Sequence, residues 1–139
     1  MTQPATKNRV CHDDPSVCND EKLWRRVHGQ LVRDEQIPGG WRPMSGVFVD
    51  SIGEMSVNRA HLSTIAHTVA ESPGCHIAEL AASEVRELGY NVYADPLENN
   101  PAHAIICPKM KDSHARKLAK RPRILVHINR DTLPDDTRL

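Results

Sequence analysis

The chain has 139 residues, room for one domain, and 39% of them are hydrophobic, enough for one modest core. Lysine plus arginine equals aspartate plus glutamate at 18 each, so the formal net charge is zero, which argues against a protein that coats nucleic acid over its whole surface. No apolar run approaches the roughly 18 residues that span a bilayer, and the polar segment 1–20 lacks the apolar stretch of a secretory signal. These features predict a cytoplasmic protein with no membrane partner.

Residues 1–20 carry Pro4 and Pro15 and no periodicity, as in a flexible or irregular N-terminal arm. Residues 22–33 predict a strand and turn, broken at Gly29, with Trp24 and Val27 as core anchors. Pro38-Gly39-Gly40 marks a turn, and Gly46-Val47-Phe48-Val49 predicts a short strand before a second turn at Ser51-Ile52-Gly53. Leu62, Ile65, Ala66 and Val69 fall at helical spacing within 58–71, with Ser56 or Asn58 as the cap. Ile77, Leu80, Ala81, Val85 and Leu88 form a stripe that predicts a helix over 76–88, with Gly89 as its C-terminal cap.

Tyr90–Ala94 predicts a strand, 95–101 a loop dense in turn formers, and Ala102–Cys107 a second strand. A seven-residue connection permits an antiparallel hairpin, whereas a parallel pair needs a longer crossover. Asp112–Lys120 predicts a helix, Ile124–Ile128 a last strand, and 129–139 a polar C-terminal tail. Strands and helices do not alternate strictly. The expected fold is therefore α+β: a single small domain over 21–128, with a mainly antiparallel or mixed sheet and two to three helices packed on it.

Four groups of residues are candidates for function. In the first, Pro101 holds Asn100 extended and aims His103 from a strand start. His103 would be an acid/base and Asn100 an orienting group, with Asp95 and Asn99 beside them. Turn chemistry alone also accounts for most of that loop. The second group is Cys11, His12, Cys18, Cys75 and His76, enough ligands for zinc, but Cys11 and Cys18 lie too far apart for the usual pairing. No metal and no cofactor is therefore expected, and the four cysteines are read as free thiols, with Cys107 a small buried hydrophobe.

The third group is the tract 108–123. It holds Lys109, Lys111, Arg116, Lys117, Lys120, Arg121 and Arg123 against Asp112, seven basic residues to one acidic, a local charge of about +6 that suits phosphates or an acidic partner. It has no aromatic residue for base stacking. The fourth group is Trp24-Arg25 with Trp41-Arg42, which would line an anion or nucleotide pocket if they converge; as tryptophans they also serve as core anchors. Ser45 lacks the Gly-x-Ser-x-Gly elbow, so a serine hydrolase is disfavoured.

The pattern Trp41-Arg42-Pro43-x-Ser45-x-x-Phe48, then Ser56-Val57, then Asp95-Pro96 and Asn100-Pro101-Ala102-His103-Ala104 resembles that of small uncharacterised bacterial proteins, over about residues 22–126. The resemblance implies a bacterial, stand-alone domain and no particular reaction. Three functions follow from the sequence. The first is a binding or accessory module that engages a partner protein or nucleic acid through the 95–103 loop and the basic tract. The second is a small enzyme that acts on a phosphorylated or nucleotide substrate with His103 as acid/base and Arg25 or Arg42 as anion clamp. The third is a structural subunit whose tails order on assembly.

Overall fold

A computed structural model of the chain describes residues 10–28, 31–38, 40–70 and 75–126. The expected break at Gly29 and the C-terminal tail lie outside them.

The fold is α+β. Six strands form one antiparallel sheet: β1 (Lys22–Val27), β4 (Met55–Arg59), β5 (His76–Ala81), β6 (Asn91–Ala94), β7 (His103–Cys107) and β8 (Ile124–Val126), in the order β6-β7-β4-β1-β5-β8. A two-stranded antiparallel sheet, β2 (Val32–Ile37) with β3 (Gly40–Pro43), stands beside it. The helices are α1 (Ile65–Val69), α2 (Ala82–Glu87) and α3 (Asp112–Ala119). No helix among the described residues is long and apolar enough to cross a membrane.

The main core lies on one face of the six-stranded sheet. Leu23, Val57, Ala78, Leu80, Val92, Ala104 and Ile106 meet Val85 of α2, Ala115 and Leu118 of α3, and Val47 and Phe48. Side chains alternate along a strand, so the intervening residues of β1, β4 and β7 face the other way. There Tyr93, Ile105 and Cys107 form a small second cluster.

Three predicted elements are corrected. Residues 76–81 of the expected helix are a strand, and only 82–87 are helical. β5 lies between β1 and β8; His76, Ile77, Ala78 and Leu80 are all buried, and a strand buried on both faces has no polar alternation to distinguish it from a helix. The expected helix over 58–71 shrinks to α1, capped by Thr64, whose Oγ1 accepts the His67 N–H at 3.0 Å. Ser56 and Asn58, expected to cap it, belong instead to β4. The expected strand over 46–49 is a 3-10 turn, Ser45–Phe48, whose buried Val47 and Phe48 join the core. The 90–107 hairpin, the helix after it and Gly89 at positive φ (99°) are as expected.

Segment 10–20 runs along the outer edge of β6. The Asp14 N–H donates to Val92 O at 2.9 Å, Asp14 Oδ2 accepts the Ala94 N–H at 3.0 Å, and Asp13 Oδ1 accepts the Val92 N–H at 3.1 Å. These bonds satisfy backbone groups that an open edge leaves unpaired. Val17 of this segment is fully buried in the main core. The expectation of four free thiols is corrected: Cys11 and Cys107 form a disulfide, whereas Cys18 and Cys75 are free. Cys107 is buried as expected, but as half of a bridge that fastens this segment to β7.

Candidate functional site

The face opposite the main core carries a polar row built by strand register. Glu79 of β5 stands opposite Trp24 of β1, Trp24 opposite Asn58 of β4, and Asn58 opposite His103 of β7. Asp95 follows β6 directly, and its N–H donates to His103 O at 2.9 Å. That bond extends the β6–β7 ladder by one residue and sets Asp95 opposite His103. One row of five residues thus crosses four adjacent strands and ends on Asp95, just past β6. At one end, the Trp24 indole N–H donates to Glu79 Oε2 at 3.1 Å.

His103 is held from both sides. Its Nδ1 lies 3.0 Å from Asp95 Oδ2 and 3.1 Å from Asp95 O, and its Nε2 lies 3.1 Å from Ser56 Oγ. In the neutral ring, the two acceptor oxygens at Nδ1 place the proton there. Nε2 then presents a lone pair to the Ser56 hydroxyl. His103 and Asp95 are mostly enclosed, their side chains 13% and 17% exposed, while Ser56 stands at the surface.

A pocket of about 60 Å³ opens beside this trio, lined by Trp24, Arg25, Arg26, Ser56, Val57, Asn58, Thr68 and His103. Its origin lies in the sheet. β1 and β4 keep register only at Leu23–Arg59 and Trp24–Asn58. Beyond these pairs Arg25 bridges the strands, donating from Nε to Val47 O at 3.0 Å and from Nη1 to Ser56 O at 2.9 Å. Burial pulls the Arg25 pKa below the ordinary arginine value, partly offset by the charge of Asp50. Arg25 therefore fastens the Ser56 backbone; the neighbouring Arg26 also lines the pocket, and its Nε donates to Thr68 O.

Asn100 acts from below. Its carbonyl accepts the His103 N–H at 3.2 Å, and its Nδ2 donates to Asn58 Oδ1 at 2.8 Å. Asn58 Nδ2 donates in turn to Thr68 Oγ1 at 3.1 Å, which lies 3.1 Å from Ser63 Oγ. This chain ties α1 to the sheet, and its members Asn58 and Thr68 line the pocket. Asn100 is 8% exposed, and its Oδ1 has no hydrogen-bond partner. Asn100 thus meets His103 through its backbone carbonyl and reaches the pocket wall through Asn58.

The structure brings together His103, Asn100, Asp95, Trp24 and Arg25. Trp41 and Arg42 do not line the pocket; Trp41 packs against the main core cluster. The basic tract lies elsewhere, since α3 buries Ala115 and Leu118 in the core on the opposite face of the sheet. Lys109, Lys111, Arg116, Lys117 and Lys120 are exposed, and Arg121 lies 3.5 Å from Glu84. Arg123 is buried and turned inward to Glu84, so it does not belong to that exposed face.

Among the described residues no cluster of histidine, cysteine, aspartate or glutamate has the geometry to hold a metal ion. Cys11 is spent in the disulfide, His12 stacks on Tyr93 with ring centroids 4.6 Å apart, Cys18 is exposed, and Cys75 and His76 are buried. Sequence reasoning overlooked Ser56 as a chemical group because it read the residue as a helix cap. Its recoverable signal was the alternation of Met55, Ser56 and Val57. No protein-family model, curated protein or solved structure matches this chain.

Proposed function

We propose that the protein is a small enzyme that acts on a phosphorylated or nucleotide substrate with His103 as its acid/base. The supporting observation is the placement of His103: Asp95 holds Nδ1 at 3.0 Å, and Nε2 faces a hydroxyl at the rim of a pocket that two arginines line. A histidine so oriented accepts a proton from a hydroxyl or water and returns it to a leaving group. Arg26 contributes positive charge toward a phosphoryl group, and the pocket beside Ser56 receives the reacting group of the substrate.

The test is turnover of p-nitrophenyl phosphate and a panel of nucleoside phosphates. His103→Ala is expected to lower turnover by about 100-fold or more with an unchanged thermal midpoint. Equal turnover in that variant, or no turnover by the unaltered protein, overturns the reading.

A second reading, a binding module for a partner protein or nucleic acid, is favoured by the exposed Lys109, Lys111, Arg116, Lys117 and Lys120 around α3. Binding through these residues would be electrostatic and salt-sensitive. A low-salt gel shift with duplex and single-stranded oligonucleotides, together with a pull-down of protein partners, tests it; absence of any bound species ends it. The cytoplasmic location expected from the sequence stands against the Cys11–Cys107 disulfide, since reducing compartments keep such thiols apart.

A further inference from the structure

We infer that Ser56 is a nucleophile, and that the reaction passes through a covalent phosphoseryl intermediate. The inference rests on the enzyme reading above and assigns the attacking atom. Asp95, His103 and Ser56 form a continuous hydrogen-bonded relay, with 3.0 Å from carboxylate to ring and 3.1 Å from ring to hydroxyl. Those distances are within the range over which a base activates a nucleophile, and the base is in turn oriented by a third group. The three residues come from β6's end, β7 and β4, so the sheet sets their geometry, as precise catalytic placement requires. Arg25 adds a further restraint by bonding the Ser56 carbonyl.

This arrangement needs no strand-to-helix elbow. Ser56 is exposed because its strand edge parts from β1 beyond Asn58, and the same parting makes the pocket. Arg26 lines that pocket with Ser56, where a cation stabilises charge on phosphoryl oxygens.

Ser56 Oγ attacks phosphorus, an O–P bond forms, and the hydroxyl proton passes to His103 Nε2. The bond from phosphorus to the leaving oxygen breaks, and that oxygen takes the proton from His103 as the alcohol departs. Water then attacks the phosphoseryl group and gives a proton to His103, while Ser56 Oγ leaves and recovers a proton from Nε2. The sum is ester plus water to alcohol plus phosphate.

A fluorophosphonate is the probe, because it offers serine a tetrahedral phosphorus with fluoride as leaving group. Intact-mass measurement and peptide mapping on the full chain are expected to show one adduct, on Ser56. Ser56→Ala is expected to take no label at an unchanged thermal midpoint, and His103→Ala to label about 100-fold more slowly or worse. Labelling at another residue overturns the inference, as does labelling that is indifferent to His103. No labelling, with p-nitrophenyl phosphate turnover still dependent on His103, means that water attacks directly: Ser56 is then not the nucleophile and the enzyme reading survives. Absence of both label and turnover ends both.

Discussion

Glu84 and Arg123 meet as a two-pronged ion pair, with Arg123 Nη1 2.8 Å from Oε1 and Nη2 2.6 Å from Oε2. Arg123 is only 8% exposed. The same Oε1 accepts the Ala81 N–H at 2.8 Å and so caps α2, while Arg123 Nε donates to Leu118 O at 2.5 Å near the end of α3. One pair thus joins the start of α2, the end of α3 and the entry to β8. Removing the cation leaves a partly enclosed carboxylate and an open helix end. Arg123→Met is therefore expected to cost about 3 kcal/mol, read as a lower urea midpoint. Lys117→Ala, on the exposed side of the neighbouring helix, is expected to change stability by under about 0.5 kcal/mol. Equal effects from the two variants would show that the pair holds nothing together.

Acid should loosen the fold through three carboxylates. The Glu84 carboxyl is pushed up by burial, but its bonds to Arg123 and to the Ala81 N–H outweigh this and hold it below the ordinary value. The Arg59 guanidinium, bonded to Glu21 at 2.8 Å through both Nε and Nη2, lowers the Glu21 carboxyl. The Ser16 hydroxyl lowers that of Asp14. Each folded pKa lies below its unfolded one, so each contribution is complete above the unfolded value and is lost as pH falls through the folded value. Unfolding free energy is expected to hold steady from about pH 7 down toward the ordinary glutamate value of 4.5 and to fall below it. Glu21→Gln should flatten part of that fall in urea titrations repeated across the range. An unchanged slope in the variant would assign the acid sensitivity to other groups.

The hairpin that presents His103 was legible because its signals are local. Gly89, the run of turn formers from Asp95 to Pro101 and the apolar 104–107 segment each act within a few residues. The His103–Asp95 contact follows from that hairpin, since an antiparallel ladder places the two opposite each other. Ser56 was hidden by an ambiguity of chemistry: serine before an apolar-periodic stretch signals a helix cap, and the competing strand signal is only the three-residue alternation of Met55, Ser56 and Val57. β5 was hidden by burial on both sides. The disulfide, 96 residues apart in sequence, depends on the N-terminal segment lying along β6, which no local pattern announces. Arg123 looked like one more member of a basic run because only the fold shows that Glu84 waits beneath it.

The cysteines give a prediction that separates the buried from the bridged. In the native, unreduced protein, iodoacetamide is expected to add one group, at the exposed Cys18. Cys75 should resist, since it is buried and burial pushes its thiol pKa up, leaving little thiolate to react. Unfolding without reductant should expose Cys75 and give two adducts; unfolding with reductant should give all four. The bridge closes a long loop of sequence separation 96, and its loss, by reduction or by Cys11→Ser, is expected to cost about 2–4 kcal/mol. Reductant should lower the urea midpoint of the unaltered chain and leave that of Cys11→Ser where it stands. Because Cys107 shares a strand and a face with His103, the bridge also bears on the site. If it steadies β7 beneath the relay, reduction should slow fluorophosphonate labelling of Ser56 before the chain unfolds; labelling that falls only with global unfolding would confine the bridge to stability.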